Sequence, residues 1–179
     1  MIDPIRTARL GHRLVFLGLV GLLIFVRILP LSAIPPEIPG PDLTLALVLV
    51  LVLRRPDHVP EWMIAGVFLL EDLLFMRPPG LWTVIVLLGT EFLRRREATT
   101  RDLPFLFEWL MIAIVISAMT FANRLVLLLF MIPQTPLDLD MIRAVITILA
   151  YPPVVLFARW VLGLRRAAPG EVDELGHLR

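Results

Sequence analysis

The stretch "FLLEDLLFMRPPG", residues 68–80, decides how this chain is read. Glu71 and Asp72 are adjacent acids inside a run that otherwise suits hydrocarbon. An ionised carboxylate is costly at the centre of a bilayer, so such a residue faces protein or water. The run then stops at Pro78, Pro79 and Gly80. Proline lacks an amide donor and glycine accepts backbone angles that other residues avoid, so the three mark a turn at a helix end. The stretch implies a membrane helix whose acids meet cations on neighbouring helices.

Composition agrees. The 179 residues are 58% hydrophobic and 18% charged, with a mean hydropathy of +0.85. A soluble domain of this size could not cover so much apolar surface. At ~20 residues per span, the length allows one domain of about six helices. The apolar runs cover residues 14–33, 43–53, 61–75, 81–93, 105–132 and 141–164. Between them lie "IPPEIPGP", "RRPDHVP", "RPPG", "RRREATTRDLP" and "PQTPLDLD". Turns are expected at Pro56, at Pro78-Pro79-Gly80 and at Tyr151-Pro152. Asp42, Asp102 and Asp138 stand where a carboxylate can cap a helix N-terminus. The expected fold is all-α, a polytopic transmembrane bundle over residues 1–166, with 167–179 a disordered cytoplasmic tail. No convincing internal repeat is evident.

Two runs are short. Residues 43–53 span only ~17 Å as a helix, against a hydrocarbon core of ~30 Å. They read as tilted half-spans or as helices borrowing flanking residues, and 61–93 also fits a re-entrant hairpin. The basic start followed by an apolar run reads as an anchor rather than a cleaved signal. The run is long, Arg27 interrupts it, and Leu31 stands where cleavage wants a small residue.

All seventeen basic residues other than histidine are arginine. Twelve fall on alternate breaks: Arg6, Arg9, Arg13, Arg54, Arg55, Arg94, Arg95, Arg96, Arg101, Arg165, Arg166 and Arg179. The positive-inside rule puts those breaks, and both termini, in the cytoplasm. Arg54, Arg55, Arg94, Arg95 and Arg96 are expected to face anionic lipid headgroups or a cytoplasmic filament. Inside the runs, Arg27, Arg124, Glu71 and Asp72 share one depth zone. Neighbours on a helix point about 100° apart, so one acid is expected to address Arg27 and the other Arg124 or a partner protein. Glu91 and Arg95 form an i, i+4 pair. Glu108 is expected to reach water at the inner interface. Trp62, Trp82, Trp109 and Trp160 fit an aromatic belt. Gly18 and Gly21 permit close packing of the first helix.

There is no cysteine, and His12, His58 and His177 lie far apart outside the runs. No zinc-protease, nucleophile-elbow, phosphate-loop or dinucleotide motif is present. Neither catalysis nor a metal, cofactor or nucleic-acid partner is expected.

Four segments carry a resemblance: "PGPDLTLALVLVLVLRRPDHVP" (39–60), "GVFLLEDLLFMRPPGL" (66–81), "EFLRRR" (91–96) and "LAYPPVVLFARWVLGLRR" (149–166). In order, they resemble the MreD family, the rod-shape-determining membrane proteins of bacteria. That resemblance implies a non-catalytic inner-membrane scaffold of the cell-elongation machinery. It would bind an MreC-like bitopic partner and link it to MreB-type filaments and peptidoglycan-synthesis enzymes, with homo-oligomers possible. It also implies a fold similar to the six-helix substrate-binding subunits of energy-coupling-factor vitamin transporters. Glu71 departs from the pattern, since the family's acid is expected at Asp72, and which carboxylate matters stays open. The alternative is a vitamin-type transporter subunit, and a lipid flippase is a third. The outer loops are short and poor in the residues a small-molecule pocket uses.

Overall fold

The computed structural model describes residues 4–29, 39–100 and 104–161. It contains six helices: α1 (Pro4–Ile28), α2 (Leu43–Arg54), α3 (Glu61–Leu74), α4 (Leu81–Thr100), α5 (Phe105–Leu129) and α6 (Leu137–Val161). A 3-10 turn, Pro56–His58, joins α2 to α3. Among the described residues there is no strand. The expected tail, the cap at Asp102 and Arg101, Arg165, Arg166 and Arg179 lie outside them.

Successive helices run in opposite directions. At one end Arg27, late in α1, meets Asp42 before α2 and Glu71 late in α3. Asp72 meets Thr83 at the start of α4, and Arg124, late in α5, meets Asp140 at the start of α6. At the other end His12 of α1 stacks on His58. There too Arg54, closing α2, meets Glu108 at the start of α5, and Arg94, late in α4, reaches Val59. The second end carries the arginine clusters and is called the basic end below. The first is the acidic end.

The short run at 43–53 is the centre of the molecule. Every residue of α2 from Thr44 to Leu53 is buried. A helix that is apolar all round belongs inside a bundle, and α2 is enclosed mainly by α6, α4 and α1. Its shortness is compatible with a membrane because neighbouring helices, not lipid, surround it. On α3 the buried residues are Met63, Ile64, Val67, Phe68, Glu71 and Asp72. That is one continuous i, i+3, i+4 stripe, so the acids prolong the buried face of α3 into the bundle. The buried stripe of α1 is narrower, with Phe16, Val20 and Ile24.

Three helices are long and apolar enough to cross a membrane, over Gly11–Ile28, Phe105–Leu129 and Leu137–Trp160. α2 and α3, at 12 and 14 residues, are not. The exposed surface of α1, α3, α5 and α6 is rich in large apolar side chains, among them Leu22, Phe25, Leu73, Ile114, Leu125 and Leu156. The chain is thus a membrane protein, helical throughout its described core.

One expectation about chain punctuation is corrected. Tyr151 and Pro152 are not a turn, because α6 continues through Pro152 and Pro153. Two helix ends are locally alike, short of an internal repeat. "LLFMRP" (73–78) and "LLFMIP" (128–133) end α3 and α5 alike. After the capping phenylalanine, Met76 and Met131 take positive φ, 50° and 52°. The Arg77 amide then bonds the Asp72 carbonyl, and the Ile132 amide the Leu127 carbonyl. This is the Schellman closure of a helix end. Pro78 and Pro133 follow and forbid continuation. Gly80 at φ 86° completes the α3–α4 turn as expected. Among the described residues Gly18 and Gly21 mediate no packing, since a Cβ on either would meet nothing within 4 Å. The packing glycine is Gly89, where an added Cβ would lie 2.8 Å from Met119 Sδ on α5.

Candidate functional site: two buried ionic layers

The functional side chains gather at the two ends of α2. At the basic end the Arg54 guanidinium donates through Nη2 to both oxygens of Glu108, at 3.0 and 3.2 Å. The Tyr151 hydroxyl donates to Glu108 Oε1 at 2.8 Å. Glu108 is 1% exposed and Tyr151 fully buried. Ionic and hydrogen-bond contacts therefore join α2, α5 and α6 in the interior, where a charged pair persists only with its remaining hydrogen bonds supplied. This overturns two expectations. Arg54 does not face lipid or a filament, and Glu108 does not reach water. Arg94 is likewise turned inward, donating to the carbonyls of Pro56 and Val59 at 3.3 and 3.0 Å and closing the α2–α3 connection. Arg55, Arg95 and Arg96 are exposed. Glu91 accepts from Arg95 at 2.8 Å. That hydrogen bond, reinforced by the carboxylate charge, raises the Arg95 guanidinium above its ordinary range.

At the acidic end Asp42 caps α2. Its carboxylate accepts from the Leu45 amide at 3.1 Å, and its own amide donates to Thr147 Oγ1 of α6 at 2.9 Å. Arg27 Nη1 lies 3.8 Å from Asp42 and 3.9 Å from Glu71. The expected Arg27–acid pair is therefore present, and Glu71 is its partner. Both distances are ion pairs, too long for hydrogen bonds. The Arg27 guanidinium also sits 4.5 Å from the centre of the Phe75 ring, and that of Arg77 5.8 Å from it.

Asp72 does something else. Its Oδ2 accepts from the Gly80 amide (3.1 Å), the Thr83 amide (3.2 Å) and the Thr83 hydroxyl (2.9 Å). It caps the N-terminus of α4 from the preceding helix, satisfying amides that a helix start leaves open. Arg124 is not its partner. Arg124 bonds Asp140 at 2.8 Å and the Thr135 carbonyl at 3.2 Å, fastening the α5–α6 turn. Asp138 is in the first turn of α6 rather than before it. Glu71 is fully buried; the Thr44 hydroxyl is its nearest side-chain donor, and neither oxygen has a partner at close hydrogen-bond geometry.

Trp62 and Trp160 are exposed, as belt residues would be. Trp109 is not one, because its indole N–H donates to the Ile148 carbonyl of α6 at 2.9 Å. Sequence reading missed Tyr151 as a hydrogen-bond donor and Thr83 and Thr147 as anchors. Threonines in apolar runs were the available signal. Among the described residues no group of three or more histidine or acidic side chains is arranged to hold a metal. Comparison with protein-family models, curated proteins and solved structures finds no match.

Proposed function

We propose that the chain is a non-catalytic scaffold of the bacterial inner membrane, serving the cell-elongation machinery in the manner of the MreD proteins it resembles. It binds the transmembrane helix of an MreC-like bitopic partner and links it, directly or through that partner, to MreB-type filaments and peptidoglycan synthases. Both termini lie in the cytoplasm, because the basic end then satisfies the positive-inside rule.

One observation carries this reading: the intramembrane charges tie helices to one another. Arg54, Glu108 and Tyr151 join three helices, while Arg27 links α1 to the α2 cap and α3. Such ties hold a rigid body with large apolar faces. α1 has the least covered face, with Leu14, Leu22 and Phe25 exposed beside Gly11, Gly18 and Gly21. Small residues let a second helix backbone come close, which suits a partner's membrane anchor.

Purification in mild detergent followed by mass spectrometry tests this. A co-purifying single-pass protein with a large external domain, cross-linked through cysteines placed at Gly18 or Gly21, is the expected result. A vitamin-sized ligand with no protein companion would instead indicate a transporter subunit.

A further inference from the structure

We propose that Arg27, Arg77 and Glu71 form a binding site for the headgroup of a zwitterionic phospholipid carrying a phosphate and a primary ammonium. The inference does not depend on the scaffold reading.

Three observations converge. First, two guanidiniums flank one aromatic ring, at 4.5 and 5.8 Å from the centre of Phe75. Arg27 lies too far from its acids for a hydrogen bond, and Arg77 meets Glu71 only through the longer-range attraction of their charges. Arginine donors in a fixed planar fork match a phosphate. Second, Glu71 is 0% exposed and adjoins Arg27, and the Thr44 hydroxyl is the side-chain donor nearest to it, too loosely placed to satisfy either oxygen. Buried acceptors are normally satisfied, and a primary ammonium brings three donors to such a group. Third, the site lies where a headgroup can reach it. α3 has 14 residues, roughly 21 Å of helix, against a hydrocarbon core of ~30 Å. Its C-terminal turn therefore stops short of the far boundary, a mismatch that a locally thinned leaflet would relieve. Leu73, Leu74 and Met76 beside the site are exposed and apolar, with Met76 at 95%, which suits acyl chains below a headgroup.

The phosphate would bridge Arg27 and Arg77, and the ammonium would donate to Glu71. A lipid with the same phosphate but a quaternary ammonium has no N–H for Glu71. One with a glycerol headgroup has no cation.

Native mass spectrometry of the delipidated full chain, titrated with phosphatidylethanolamine, phosphatidylcholine and phosphatidylglycerol of equal chain length, tests the site. The expected result is retention of phosphatidylethanolamine about tenfold above the other two. Glu71→Gln should remove that preference, and Arg77→Gln should lower retention of the preferred lipid several-fold without changing thermal unfolding. Equal retention of the three lipids overturns the proposal. So does unchanged retention in Arg77→Gln, a variant that removes no helix-to-helix ion pair and so reports even if Glu71→Gln fails to fold. Competition by free phosphoethanolamine at the lipid's own concentration would show a soluble ligand and overturn the assignment to a lipid.

Discussion

The indole N–H of Trp109 donates to the carbonyl of Ile148, and that carbonyl is the one Pro152 leaves open. In an α-helix the amide of residue 152 would bond the carbonyl of residue 148, but proline has no amide hydrogen. Trp109 of α5 supplies the missing donor across the helix interface at 2.9 Å. Two prolines inside α6 are tolerated partly because a neighbour completes the backbone, as in other membrane helices.

Trp109 and Pro152 should therefore be coupled. Trp109→Phe is expected to cost about 1 to 2 kcal/mol in the native chain, mostly from an unsatisfied carbonyl. In a Pro152→Ala background the restored amide takes that carbonyl, and the same change should cost measurably less. A double-mutant cycle on unfolding in detergent checks this, and additive effects would contradict it.

The basic-end triad should behave as a buried pair. Glu108→Leu alone leaves Arg54 without its carboxylate and is expected to cost about 3 to 5 kcal/mol. Adding Arg54→Met should recover most of that loss, because apolar replacement of a whole buried pair is close to neutral. Tyr151→Phe removes a hydrogen bond to a charged group and should cost about 1.5 to 3 kcal/mol. Chemical denaturation in mixed micelles would rank the four proteins.

Asp72 should matter through α4. Asp72→Ala takes the acceptor from two amides and a hydroxyl, with an expected loss of about 1 to 3 kcal/mol. Asp72→Asn keeps a carbonyl at the same place and should lose less. Hydrogen exchange should locate the change at Gly80–Thr83, and a uniform increase over the whole bundle would argue against a local cap.

The paired helix ends offer a stabilising test. A side chain in the left-handed region costs about 1 kcal/mol relative to glycine, and Met76 and Met131 are almost fully exposed. Met76→Gly and Met131→Gly should each raise the unfolding temperature by a few degrees. A fall in either would show that the methionine makes a contact outside the chain.

Several of these features could be read from sequence. The stripe of Met63, Ile64, Val67, Phe68, Glu71 and Asp72 follows helical spacing, so an inward direction for the acids was legible. The Glu91–Arg95 pair needed only i, i+4 geometry. Depth alone placed Arg27 and Arg124 with the two acids without deciding which pairs with which, and Arg124 instead bonds Asp140. Other contacts depend on how helices pack. Arg54 and Glu108 are 54 residues apart, and Tyr151 and Glu108 are 43 apart. An arginine beside another arginine at a helix end reads as headgroup-facing until a buried acid is known. The Schellman ends were obscured because methionine occupies the place where glycine usually announces them. Pro152 looked like a stop because nothing local reveals that Trp109 will serve the open carbonyl.

The position of α2 has a consequence for biogenesis. Its seat is built from later parts of the chain: Thr147, which accepts from the Asp42 amide, comes 105 residues afterwards, and Glu108 comes 54 residues after Arg54. A segment this short, emerging from the ribosome, has neither lipid-spanning length nor its companions. The packing of α2 is complete only once α6, which supplies Thr147, has been made.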